Sequence, residues 1–307
     1  MPIPLVVPAT LSNLGPGFDV LGMALSLYNQ FDVSAEGPAG SFHADDVPGA
    51  AADHLLARTV RDAERAFGTP LPHGLRIRQR DRVPWSRGLG SSATARVAGY
   101  IAWSHYAGQA PPLDEGLDFL AQHEGHPDNV VAAMLGGITA GTRTDEGFRT
   151  LRIDAPPRLR VALCIPAIEV STEVARGVLP PSYSRADAVF NGNRLAFLVH
   201  GLVTGDPVSL RVGQEDRLHH PYRRALIGPV DEAIASACAA GAASAFISGS
   251  GSTLAAFVLQ PDADADAIAA ALAAPFRAAG TPVETLVVTP SAVGAWSLYQ
   301  ANAVGFG

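Results

Sequence analysis

One stretch constrains this chain more than any other: Pro84-Trp85-Ser86-Arg87-Gly88-Leu89-Gly90-Ser91-Ser92-Ala93. Gly88 and Gly90 remove side chains where a backbone must approach a ligand closely. The serines then open a segment with helical apolar spacing at Val97, Tyr100 and Ile101. The pattern predicts a loop running into the N-terminus of a helix over 94–106. Such an end offers free N–H groups and the positive pole of the helix dipole, which suits a phosphate, and a serine hydroxyl there can hold the magnesium that accompanies ATP. The same residues also read as a strand-to-helix turn with a serine N-cap. The chain has no lysine, all 22 basic residues being arginine, so the P-loop and protein-kinase lysine mechanisms are excluded. Charge on a nucleotide would fall to backbone N–H groups, arginine and metal.

The 307 residues suffice for two domains, each with its own core, and Pro156-Pro157 is the strongest linker signal, giving expected domains of 1–155 and 156–307. A hydrophobic fraction of 48% with 17% charged residues describes a soluble globular protein. A net charge of −7 argues against a general nucleic-acid or acidic-membrane partner. The apolar opening is interrupted by Pro2, Pro4 and Pro8 and does not read as a secretory signal, and the apolar run from Ala237 to Leu259 is broken by glycines. Cys164 and Cys238 sit in apolar runs and read as buried thiols, so a cytoplasmic location is expected.

Leu5 to Pro8 reads as a strand entering a loop with three glycines and a proline around Asn13 and Asp19. These two polar residues serve either local turns or a ligand. Leu25 to Val33 reads as a strand, 36–52 as an exposed connection, His54 to Phe67 as an amphipathic helix and Gly74 to Val83 as a strand feeding the glycine loop. A helix from Leu113 to His123 leads to Glu124-Gly125-His126-Pro127-Asp128-Asn129. There Glu124 and Asp128 are hard oxygen donors, or Asp128 is simply an N-cap. Strands follow at Gly137–Thr142, Arg149–Ile153 and Arg160–Pro166, and helices at the segment opened by Ser171-Thr172 and at Ala186–Thr204. Residues 216–224 are dense in charge and read as a solvated face. After a helix over 229–240, Gly249 and Gly251 alternate with serines between two apolar strands, as a sharp turn or a second glycine-rich wall. A helix at Asp262–Ala279, a strand at Val283–Val288 and a loosely specified tail complete the reading.

These clusters, in this order, resemble the GHMP kinase superfamily, with its second motif at Pro84–Ala93 and its third at Ile247–Thr253. Within it, the segments at 8–19 and 124–129, Thr172…Arg176…Leu179-Pro180, and Asp216-Arg217…His219…Pro221-Tyr222-Arg223 resemble homoserine kinases. Leu11 stands where that family usually has serine, and Ser252 where it usually has proline. The resemblance implies an α+β fold with an N-terminal ribosomal-protein-like domain, containing a left-handed crossover, and a C-terminal ferredoxin-like domain. It implies ATP-dependent phosphorylation of the L-homoserine hydroxyl, a step toward threonine. Pro84, Arg87, Gly88, Leu89, Gly90, Ser91, Ser92 and Ala93 would surround the ATP phosphates, with Ser92 and Glu124 on Mg2+. Asn13 and Asp19 would meet the amino group and hydroxyl of the amino acid. Arg176 and Arg223 would clasp its carboxylate, beside Thr172, since guanidinium forks match carboxylates. Asn129 would orient the hydroxyl, with Asp128 the alternative as base. Kinases of the same fold for another small amino alcohol or hydroxy acid, and a non-catalytic ligand sensor, are the competing implications. Family members are often homodimers, which the sequence leaves open.

Overall fold

The computed structural model describes residues 2–45 and 53–304. Two sheets carry the chain. The first pairs β1 (Ile3–Ser12) with the long β2 (Leu21–Ala35) and runs β3 (Phe42–Asp45), β4 (Leu75–Arg80), β2, β5 (Ile138–Thr144), β6 (Gly147–Ile153). All neighbours are antiparallel except β3 and β4, whose parallel register sets Phe42 against Leu75. The 36–52 connection therefore contains a strand at 42–45, too short to show an alternation of its own, and 46–52 lies outside the described residues. The second sheet, β10 (Val283–Val288), β7 (Arg160–Pro166), β9 (Leu254–Val258), β8 (Ser244–Ile247), is antiparallel throughout.

Helices α1 (Leu55–Phe67), α2 (Ser91–Ala107), α3 (Leu113–Glu124) and α4 (Asp128–Leu135) belong to the first half. In α1, Leu56, Ala57, Thr59, Val60 and Ala63 are buried while charged residues hold the outer face, as its periodicity predicts. Helix α2 is buried nearly all round, with Tyr100, Ile101 and Trp103 in a core shared with Leu5, Val7, Phe31 and Val33 of β1 and β2. The second half adds α5 (Thr172–Gly177), α6 (Arg185–Thr204), α7 (Pro207–Val212), α8 (His220–Ile227), α9 (Val230–Ala239) and α10 (Ala265–Ala278). The tail is not loose: α11 (Ala295–Val304) returns to the first half, where Ala295, Trp296 and Tyr299 join the α2 core. No helix among the described residues is long and apolar enough to cross a membrane.

Buried polar residues hold the glycine loop between the sheets. Asn29 of β2 accepts the N–H groups of Arg82 and Val83 at 2.9 Å each and donates to Thr94 of α2 at 3.0 Å, so β2 fixes both flanks of the loop. From the other side Ser248 donates to the Gly88 carbonyl at 2.6 Å, and the Thr253 N–H to that of Arg87 at 3.1 Å. A Cβ on Gly88 would lie 2.2 Å from the Ser248 carbonyl oxygen, and one on Gly90 2.0 Å from Thr10 Oγ1. Both glycines also have φ near +70°, so neither position accepts a side chain.

Candidate active site

A single cavity of about 410 Å3 runs between the two sheets. Its middle is the glycine loop and the start of α2. Gly90 is the N-cap, in the left-handed conformation, and no side chain caps this helix. The serine N-cap reading is thus set aside: Ser91 and Ser92 lie inside the first turn, whose N–H groups stay open to an anion. Gly88, Gly90, Ser91, Ser92 and Arg87 line the cavity, whereas Pro84, Leu89 and Ala93 do not; Leu89 and Ala93 are buried in support of the loop. Gly249 and Ser250, from the segment between β8 and β9, line the opposite side, so that segment is a wall as well as a turn.

Beside the loop, Ser92 Oγ donates to Glu124 Oε1 at 2.6 Å, and Arg96 Nε donates to Glu124 Oε2 at 2.5 Å. Arg96 sits one turn beyond Ser92 on α2, and the sequence reasoning missed it; its spacing from Ser92 was the available signal. The hydroxyl and carboxylate are adjacent hard oxygen donors lining the cavity beside the open start of α2, a donor set that fits Mg2+.

The β1–β2 loop and the start of α4 approach from below. Thr10 Oγ1 donates to Asn129 Oδ1 at 2.6 Å, which turns the amide so that Nδ2 faces Asp128 Oδ1 at 3.2 Å. Pro127 is the N-cap of α4, and Asp128 is not a cap; its Oδ1 also takes the Asn129 N–H at 2.7 Å and His126 Nδ1 at 2.5 Å. Burial works against the imidazolium of His126, but the hydrogen bond and charge of Asp128, with Glu124 and Asp19 nearby, hold its pKa above the ordinary histidine value. Ligand atoms of Asp19, His126 and Asp128 lie within 4.8 Å of one another, a corner that favours positive charge.

At the far end Asp19 and Arg176 form an ion pair at 2.7 Å across 157 residues of chain. The turn reading of the Asn13 and Asp19 loop holds. The Asp19 N–H donates to Asn13 Oδ1 at 3.1 Å, both residues have positive φ, and both face the cavity. Arg223 is nearly fully buried, at 2% exposure. Its Nη1 donates to Gly249 O at 2.7 Å and to His219 Nδ1 at 3.2 Å, and its Nε to Ala175 O at 3.3 Å. His219 Nε2–H donates in turn to Gly15 O at 2.8 Å. Burial pushes His219 down to about 3, so the ring is neutral and Nδ1 is free to accept. Every partner of the Arg223 guanidinium is therefore uncharged, and burial lowers its pKa to about 10. A cation held this way is incompletely compensated and favours an anion beside it. Arg176 and Arg223 also lie over the Phe18 ring, at 5.7 and 5.2 Å. Thr172 lines the cavity beside them.

The charge-dense segment at 216–224 is, among its charged residues, a solvated face only at Arg217 and Arg224, while Asp216, His219 and Arg223 turn inward. Asp216 accepts N–H groups of Leu218, His219 and His220 and the Asn191 amide at 2.7–3.1 Å, and it is buried with His219 and Arg223. The missed signal is the Asp followed two to four residues later by N–H donors that open α8.

The chain matches the family model described as GHMP kinases N terminal domain over residues 54–137 and that described as GHMP kinases C terminal over 198–278. It is 41% identical over 257 residues to the homoserine kinase of Picosynechococcus sp., covering 81% of this chain and 84% of that protein. It is 37% identical over 304 residues to the homoserine kinase of Microchaete diplosiphon, covering 97% and 98%. Among solved structures, the homoserine kinase from Cytophaga hutchinsonii superposes with a TM-score of 0.84 at 26% identity, over 95% of this chain and 96% of that one. The mevalonate kinase of L. major, in complex with R-mevalonate, has a TM-score of 0.69 at 19% identity, over 94% and 97%, a likeness of fold.

Proposed function

We propose a division of labour across this cavity that proceeds from one premise: the chain belongs to the homoserine kinases of the GHMP kinase superfamily. It transfers a phosphoryl group from ATP to the side-chain hydroxyl of L-homoserine, giving O-phospho-L-homoserine, in threonine biosynthesis. Our reading assigns the triphosphate to the N–H groups of 88–92 and the base to the end lined by His54, Leu55, Gln79 and Trp85. Ser92 and Glu124 would hold Mg2+, with Arg96 fixing the second carboxylate oxygen. When bound, the ion supplies charge neutralisation on the phosphates.

Homoserine carries an ammonium and a carboxylate on one carbon. The Asp19–Arg176 pair supports a pocket for such a zwitterion, because each charge can exchange its present partner for one end of the substrate. Asn13 and Asp19 would take the amino side, and Arg176 and Arg223 the carboxylate, with Thr172 at the rim. The hydroxyl would then reach Asn129, whose amide is turned by Thr10 and Asp128. With Asp128 Oδ1 already accepting from three groups, we assign Asn129 to orientation and give Asp128 the task of holding Asn129 and His126. Phosphoryl transfer demands chiefly alignment and charge stabilisation, which an uncapped helix end and buried arginines supply without a dedicated base.

The observation that carries the proposal is one cavity joining an open helix N-terminus, the Ser92–Glu124 pair and two arginines facing an acidic corner. An ADP-release assay across homoserine, serine, threonine, mevalonate and galactose tests it, with homoserine expected to give by far the highest kcat/KM. The two sheets on either side of Pro156-Pro157 support domains of 1–155 and 156–307, α11 packing back on the first. Exposed Val189, Phe197, Val203 and Val208 on α6 and α7 support a homodimer through that face. The two free cysteines are in keeping with a cytoplasmic location.

A further inference from the structure

Trp85 is half exposed at 49%, yet its ring is not loose. Its indole Nε1–H donates to Asp81 Oδ2 at 2.9 Å, and the other oxygen, Asp81 Oδ1, accepts Gln79 Nε2 at 2.5 Å. Gln79 Oε1 then meets His54 Nε2 at 2.7 Å, and His54 Nδ1 accepts the Leu56 N–H at 3.2 Å. Burial holds the His54 pKa below the ordinary histidine value, and with Nδ1 accepting the Leu56 N–H the ring proton lies on Nε2. That proton orients the Gln79 amide, which orients the Asp81 carboxylate, which in turn holds the indole. The row links the N-cap of α1, strand β4 and the glycine loop, and three of its members, His54, Gln79 and Trp85, line the cavity.

A large apolar ring left in water at a cavity wall, with its one polar atom satisfied away from the ligand, is a preset stacking face. We propose that Trp85 is the platform on which the nucleotide base stacks, that the His54–Gln79–Asp81 row is its positioning device, and that together they favour purine over pyrimidine nucleotides. Stacking grows with ring area and is tolerant of the groups on the ring edge, so the preference separates ring size rather than adenine from guanine. This inference rests on the placement of the base given above.

The chain has three tryptophans, of which Trp103 is fully buried and Trp296 packs in the α11 core, so Trp85 emission reports on the cavity. ADP and CDP are titrated into the full chain by calorimetry and by tryptophan fluorescence. Trp85→Ala is expected to weaken ADP binding roughly 10-fold, within the range for a base on an aromatic ring, and CDP binding markedly less. Trp85→Phe restores most ADP affinity but loses the emission change. Asp81→Ala raises KM for ATP while kcat and KM for homoserine hold, and Asp81→Asn, which keeps an acceptor, recovers most of that loss. Unaltered ADP affinity in Trp85→Ala, or an emission change that survives in Trp85→Phe, overturns the inference while leaving the nucleotide site standing. Failure of the wild-type chain to bind ADP at all overturns the underlying assignment as well.

Discussion

Replacing Arg223 by methionine separates its proposed contact with the substrate carboxylate from what it does for the fold. Methionine keeps much of the stem volume and removes the charge. A hydrogen bond to a charged group contributes about 1.5–3 kcal/mol, and truncating one member of a buried charge pair costs about 2–5 kcal/mol; a loss near 3 kcal/mol raises KM for homoserine roughly 100-fold. The fold responds differently. Depression of the Arg223 pKa to about 10 corresponds to about 3 kcal/mol against the charge in the folded chain. That penalty is constant at any pH below 10 and is relieved as pH rises through it, so removing the charge returns it across the assay range. Against this gain, Ala175 O and His219 Nδ1 lose a donor, while Gly249 O keeps the Asn13 amide at 3.3 Å. At about 1–3 kcal/mol for each unsatisfied buried group the two effects nearly cancel, so the thermal midpoint moves by only a few degrees. The assay is steady-state ADP release with homoserine and with 3-aminopropan-1-ol, which is homoserine without its carboxylate. Arg223→Met is expected to lower kcat/KM for homoserine by about two decades, leave KM for ATP within roughly two-fold, and barely change the small activity on the amino alcohol. Equal losses on both acceptors, or parallel rises in both KM values, would refute a carboxylate contact.

Glu124→Ala should cut turnover by on the order of 10²-fold and raise the Mg2+ concentration needed for half-maximal rate, if the carboxylate places charge against the transferring group; an unchanged Mg2+ dependence counts against it. Asp128→Asn keeps the Oδ1 acceptor for Asn129 and should hold turnover within roughly 10-fold, whereas loss of many decades would make Asp128 a general base. His126 has its folded pKa raised, so its pairing with Asp128 contributes stability that is full below the ordinary histidine value, about 6.5, and is lost as pH rises through the folded value. His126→Asn should therefore flatten the dependence of the thermal midpoint on pH as pH rises above the ordinary histidine value of about 6.5; a wild-type slope in the variant would remove His126 as its source.

Segments whose burial follows their own periodicity were readable before any fold was known. Helix α1 and strand β7 lie where their apolar spacing puts them, because each buries one face or both against a core that local pattern already specifies. Strand β3 was not readable, because four residues paired in parallel to β4 draw their stability from the neighbour. The 216–224 segment misled for a different reason. Charge density ordinarily signals water, but here Asp216 satisfies three N–H groups and a neutral His219 carries Arg223 into the interior. At the site, glycine spacing pointed to the loop that lines the cavity, yet Ser92, Arg96 and Glu124 meet only where α3 packs on α2, and Asp19 and Arg176 only where the two halves of the chain close on one another. The return of α11 to the α2 core was equally invisible, since Trp296 and Tyr299 pack on each other, with 5.7 Å between ring centroids, and that local pair does not specify which core it joins.

Two placements proposed above stand or fall together: nucleotide phosphates on the uncapped start of α2, and a zwitterion that opens the Asp19–Arg176 pair in the same cavity. A crystal structure with L-homoserine and a non-hydrolysable ATP analogue measures both at once. The account predicts phosphate oxygens on the N–H groups of 88–92, the homoserine carboxylate between Arg176 and Arg223, and its hydroxyl facing the terminal phosphate beside Asn129. Nucleotide bound elsewhere, or homoserine seated with its carboxylate away from both arginines, would contradict it.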